Sequence, residues 1–251
     1  MKRTLFALAF LAASALSNGA EPIYSWDWSA ETGATISASG WNNNFTYTEG
    51  DDHASFTSSG NPWKSNISEI TGSFTVSFDL KNLTAQNSNW NSILSLYSNG
   101  ATSGNANSLQ LQFSNAGRLY LYNKVGNETS FGGSDTGSST NIDTGLTSAD
   151  LQGSTDWTSF SIVSDLENNT LSVYVNGGLV GSITDWNPAS PALTGAQFGS
   201  AFGQGGHALN GSIDINNIKF YNEVVLPVPE PATTSLSLLG LAALMLRRRR
   251  A

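Results

Sequence analysis

Hydrophobic and polar residues alternate along most of this chain with a period of two. In "GSFTVSFDLKNL", Phe74, Val76, Phe78 and Leu80 share one face, while Thr75, Ser77, Asp79 and Lys81 share the other. That is the signature of a strand buried on one side. "SLQLQFSNAGRLYLYN" repeats it, with Leu109, Leu111 and Phe113, a turn at Ser114–Gly117 and a second alternating run from Arg118, so a hairpin is predicted. In "DWTSFSIVSDLENNTLSVYVNGGLVGSI" three strands follow one another, at 157–164, from Leu171 to Val175, and from Leu179 to Ile183. The first two are joined by a turn at Glu167–Asn169. Asn176-Gly177-Gly178 joins the last two and supplies the positive φ values of a tight hairpin. Further strands are predicted at 22–29, 53–58, 91–98, 194–199 and 211–221. The last changes phase, because Ile213 and Ile215 alternate out of step with Ile218 and Phe220. One extra residue at Asn216-Asn217 restores the register, which predicts a β-bulge.

No segment between 21 and 226 carries a helical stripe, and "SADLQGSTDW" has room for one helical turn. No unit of 20–50 residues repeats. Ten or more short antiparallel strands around one core predict an all-β sandwich or jelly roll. The ends differ from this body. "MKRTLFALAFLAASALSNGA" has a basic start, an apolar core from Leu5 to Leu16 and small residues behind it, the plan of a secretory signal peptide over 1–20. Asn222 to Pro227 opens a linker that continues to Pro231. The stretch from Ala232 onward is apolar but shorter than the roughly 20 residues a spanning helix needs, and it ends in Arg247, Arg248, Arg249 and Arg250, which hold a cytoplasmic end. Contact with the membrane is expected to be transient and through this tail alone.

Charge narrows the partners. All 19 acidic residues lie between the two ends, against five basic ones, so the body carries about −14. Such a surface repels phosphate backbones and argues against nucleic acid. It suits neutral sugars and divalent cations. With no cysteine, an exported chain has neither disulfides nor thiol chemistry.

Catalytic material is scarce. The carboxylate-rich string Glu49-Gly50-Asp51-Asp52-His53 reads as a turn. His53 and His207 are the two histidines, in separate loops, and no Gly-x-Ser-x-Gly elbow occurs. The seven tryptophans divide into two groups. Trp26, Trp28 and Trp157 lie in predicted strands and are expected in the core. Trp41, Trp63, Trp90 and Trp186 are ringed by Asn, Ser, Gly or Pro and are expected in loops or at strand ends. There an indole either stacks on a sugar while amides read its hydroxyls, or folds back as a lid over the core.

Two resemblances follow from quoted residues. Val228-Pro229-Glu230-Pro231, the apolar run and the Arg cluster resemble the PEP-CTERM sorting signal. This implies recognition of Pro229, Glu230 and Pro231 by an exosortase-type membrane protease, and delivery to the envelope or matrix of a Gram-negative bacterium. Trp157, the Leu171–Gly177 hairpin, "AQFGSAFGQGG" and the Gly211–Tyr221 strand resemble the laminin G-like branch of the concanavalin A-like lectin/glucanase superfamily over most of 22–222. The glucanases' Glu-x-Asp-x-x-Glu pattern is missing. The resemblance implies glycan binding and a structural Ca²⁺ where first and last strands meet, at Asp27 and Asp214. Three functions stay open: a non-catalytic glycan-binding module, a structural matrix protein, and a glycosidase with an atypical site.

Overall fold

The computed structural model describes residues 20–28, 45–47, 51–57, 63–84, 91–97, 108–124, 141–188, 192–199, 209 and 211–227. They form two antiparallel sheets. The strands are β1 (Tyr24–Trp26), β2 (Phe45–Tyr47), β3 (Ala54–Thr57), β4 (Trp63–Ile70), β5 (Phe74–Lys81), β6 (Ser92–Tyr97), β7 (Ser108–Phe113), β8 (Arg118–Lys124), β9 (Asn141–Thr147), β10 (Thr158–Asp165), β11 (Thr170–Val175), β12 (Gly178–Thr184), β13 (Leu193–Phe198) and β14 (Ser212–Tyr221). One sheet is eight-stranded, ordered β12-β11-β10-β5-β14-β3-β2, with β1 also on β14; the other is six-stranded, ordered β4-β13-β6-β7-β8-β9. The all-β antiparallel sandwich expected from the alternation is the fold observed.

Alternation places the core. Val76, Phe78, Leu80, Phe160, Ile162, Ile215 and Phe220 from the larger sheet meet Leu94, Leu96, Leu109, Leu111, Leu119 and Leu121 from the smaller, all buried. Phe78 stacks on Phe160 with centroids 5.4 Å apart and meets Phe198 of the facing sheet edge-on at 5.8 Å. The bulge falls where the phase change demands it. The β14–β5 register shifts between Asn216 and Lys219, and Asn217 has φ 50°. Ile213, Ile215, Ile218 and Phe220 thereby all face inward. Below the bulge β14 pairs with β3; beyond it, the same edge pairs with β1. The backbone N–H of Trp28 closes the gap by donating to Asn216 Oδ1 at 2.9 Å.

The hairpins are as expected, with φ 48° at Asn176 and 76° at Gly177 in the β11–β12 turn. The short helix α1 (Ser148–Leu151) supplies the single turn, capped by Thr147 N–H donating to Asp150 Oδ2 at 2.7 Å. β2, β4 and β9 were not expected. Each is short of apolar residues on one face, and "NIDTGLT" contains Gly145 in the left-handed region at φ 77°, which hides a strand from any alternation test. Asn222 to Pro227, expected as the start of the linker into the sorting tail, is held on the sheet. Thr75 Oγ1 donates to Glu223 O (3.0 Å) and accepts from Val225 N (2.9 Å), so the chain after β14 folds back as a strap over the outer face of β5.

Candidate functional site

The outer face of the eight-stranded sheet holds a cleft of about 660 Å³, lined among others by Asp79, Trp157, Asn176, Asn217, Lys219 and Pro227. Each is placed by an identifiable local device. The stretch before β10 is fixed beside the end of β5 by Leu83 N–H to Leu151 O (2.9 Å) and Asn82 N–H to Ser154 O (3.0 Å). This brings Trp157 against β5, where Lys81 Nζ lies 4.1 Å from the indole centroid. Lys81 is held in turn by Asp52, at 3.2 and 3.3 Å from its two carboxylate oxygens. His53 Nδ1 donates to Asp52 Oδ1 at 2.8 Å, and its ring approaches the indole at 6.5 Å. The indole is thus held on one side by a cation that is itself ion-paired, a preorganised arrangement. The His53 bond holds the Asp52 carboxyl below its ordinary value; burial opposes this and Lys81 adds to it.

Asn176 clamps the β11–β12 turn to β10. Its N–H donates to Ser159 O (2.8 Å) and its Oδ1 accepts from Ser159 N (2.9 Å). Asn217 owes its direction to the bulge, and its Nδ2 donates to Asp79 Oδ2 at 2.7 Å. Lys219 stands opposite Ser77 on one side and Ser25 on the other. Pro227 arrives by the strap. A half-buried indole beside two amides, serine hydroxyls and one carboxylate offers an apolar plate ringed by directional hydrogen-bonding groups.

Of the expected stacking residues, Trp41 and Trp90 lie outside the described residues, and Trp63 opens β4, a strand end. Trp186 takes the lid alternative and not the stacking one. It is 1% exposed and its Nε1 donates to Ser164 Oγ at 2.9 Å, so it lies in the core as a lid. Trp26 and Trp28 are buried as expected; Trp157 is not, because it precedes β10 and lies over the sheet's outer face. Its position beside Asp156 and Thr158, rather than within an apolar alternation, is the signal that could have separated it from the core residues.

Asp27 and Asp214 both belong to the β1–β14 region. Asp214 is 4% exposed, accepts from Ser55 Oγ (2.5 Å) and Asn82 Nδ2 (3.0 Å), and has His53 Nε2 at 3.7 Å from Oδ2. Both its oxygens are occupied by donors, and among the described residues no three His, Asp or Glu side chains are grouped to hold a metal. Ser55, His53 and Asp214 share one face, yet the serine hydroxyl turns to the carboxylate rather than to the imidazole, so it lacks the base that activates a nucleophile. His207 and the sorting residues Pro229, Glu230, Pro231 and Arg247–Arg250 lie outside the described residues.

On the other sheet one register row reads Lys64, Gln197, Ser95, Gln110, Tyr122, Asn141 across all six strands. Gln197, Ser95 and Gln110 are buried. The Tyr122 phenol is pushed up to about 12, first by burial and then by Tyr120 and Asp143. The outward positions of "LQLQF" and "LYLY" carry this row in the sequence. Tyr122 is half-buried and Asn141 exposed, so the row is buried at its centre and reaches solvent at the β9 edge.

A family model for the PEP-CTERM protein-sorting motif matches residues 227–250. The chain carries that sorting motif. It marks an exported, envelope-associated bacterial protein processed by an exosortase. No curated protein matches the chain. Solved structures are similar in fold. The Botulinum neurotoxin serotype D ligand binding domain in complex with N-acetylneuraminic acid has a TM-score of 0.56 at 14% identity, covering 80% of this chain and 47% of that one. The binding domain of Botulinum neurotoxin DC in complex with rat synaptotagmin II has 0.52 at 14%, covering 80% and 48%. The Botulinum neurotoxin serotype G binding domain has 0.50 at 13%, covering 88% and 51%. The chain spans about half the length of these domains, and the likeness is one of β-sandwich fold.

Proposed function

We propose that the mature protein is a non-catalytic glycan-binding protein of the surface or extracellular matrix of a Gram-negative bacterium. Its sandwich belongs to the laminin G-like branch of concanavalin A-like domains, and its tail is removed after export. The observation that carries this reading is the cleft, where an indole fixed by Lys81 faces Asn176, Asn217 and Asp79. A sugar presents a C–H face to such a ring and hydroxyls to such amides. Likeness to a toxin domain solved with N-acetylneuraminic acid is in keeping with it. Trp41, Trp63 and Trp90 remain further stacking positions in this proposal. Catalysis is left out because glycoside hydrolysis takes two carboxyl groups about 5–9.5 Å apart, and Asp79 is the single carboxylate among the described residues lining the cleft. The Ca²⁺ that the resemblance implies at Asp27 and Asp214 is tested by a melt in EDTA against one in millimolar Ca²⁺: a higher melting temperature with Ca²⁺ supports it, and coincident melts contradict it.

A glycan array on the purified chain tests the reading. At least one oligosaccharide is expected to bind, and Trp157→Ala to weaken that hit more than tenfold. An array blank at millimolar protein contradicts it. One observation favours the matrix alternative. β12 ends its sheet, bears Leu179 at 58% and Val180 at 38% exposure, and has no charged residue to discourage edge pairing. Concentration-dependent association with a blank array would establish that role instead.

A further inference from the structure

We propose that the cleft selects a sugar bearing a carboxylate, with Lys219 as the residue that pairs with it. This rests on the glycan-binding reading and names its ligand class. The argument begins with the scarcity of positive charge, since five basic residues face 19 acidic ones between the two processed ends. In such a chain a cation normally finds a carboxylate. Lys81 has Asp52 at 3.2 Å, and Arg118 has Asp143 at 2.5 Å. Lys219 has none: among the described residues no carboxylate lies within ion-pairing distance of its ammonium, although Asp79 lines the same cleft. Asp79 is committed elsewhere, because Asn217 Nδ2 donates to it at 2.7 Å. The bulge that turns Asn217 onto Asp79 therefore also leaves Lys219 unpaired, two residues on.

Lys219 is half-buried and lines the cleft together with Ser77, Ser159 and Ser161. Uncharged hydroxyls there can hold a sugar but leave the charge unbalanced. An incoming carboxylate balances it. The body's net negative charge opposes an acidic chain at long range, but that field is screened beyond about 8 Å at physiological ionic strength. The pair formed inside the cleft is a charge-assisted hydrogen bond and is screened far less. Trp157 would then stack on the ring, and Asn176 and Asn217 would read its hydroxyls. The same carboxylate chemistry comes from a uronic acid or from N-acetylneuraminate.

The test titrates the full chain with uronate oligomers and with sialyllactose, each paired with its neutral counterpart: the carboxyl-reduced oligomer, and lactose. At least one acidic form is expected to bind about tenfold more tightly than its partner. Lys219→Gln should erase that ratio, and Lys219→Arg should keep it. Trp157→Ala should weaken acidic and neutral forms alike, and Arg118→Gln should change nothing. Equal affinity within every pair, or a ratio that survives Lys219→Gln, overturns the proposal and leaves glycan binding standing. Absence of binding to both members of every pair overturns it too; a blank glycan array alongside would remove the glycan-binding reading as well.

Discussion

Trp157 and Trp186 show how differently one side chain can be used. Trp186 is enclosed and its N–H is satisfied by Ser164. Trp186→Ala is expected to cost about 3–5 kcal/mol, read as a lowered melting temperature. Trp157 lies half-buried under Lys81. Trp157→Ala is expected to leave the melt almost unchanged and to weaken glycan binding more than tenfold, so a large loss of stability there would place it in the core instead. Acid should disturb the same corner. The folded carboxyl of Asp52 lies below its ordinary value of 3.8, so its contribution is present above that pH and fades as pH falls through the folded value. Asp52 is 53% exposed and solvent weakens the pair, so the change should be local. Lys81 loses its anchor as pH falls through the lowered folded value of Asp52, and glycan affinity is expected to fall there before the sandwich unfolds.

At the level of elements, alternation told most of the fold. β5, β7, β8, β10 and β11 each bury one face, and their periods could be read directly. The bulge in β14 was legible because four isoleucine and phenylalanine positions fall out of phase by one. Less could be read of the site. Its cleft joins residues from β5, β10, β14, the β11–β12 turn and the strap, up to 150 positions apart, and pairing registers that bring them together leave no local trace. Lys219 looks like any outward strand residue until Asp79 is seen on Asn217. Two substitutions test the elements. Thr75→Val removes both strap hydrogen bonds, and limited proteolysis at 222–227 is expected to speed up with little change in melting temperature. Gly199→Ala would put a methyl about 1.9 Å from the Phe56 ring at φ 81°. Overpacking of this kind costs about 1–3 kcal/mol or more, and an unchanged melt would refute that contact.

For the whole molecule, export, processing and binding form one sequence of events. The strap carries the chain from β14 past Thr75 to Pro227 at the cleft, two residues before Pro229. The matched sorting motif begins at Pro227. Glu230→Ala, or replacement of Arg247–Arg250 by serine, is expected to leave an unprocessed chain in the envelope, seen by intact mass. Wild-type protein recovered with residues 235–251 attached would contradict processing. The central claim, that the cleft on the eight-stranded sheet binds a glycan, is tested most directly by amide hydrogen exchange with and without the glycan found on the array. Protection is expected at 75–81, 157–161, 176–178 and 217–219, which converge on the cleft. Protection confined to β6, β7 and β8, or no protection at saturating ligand, would contradict it.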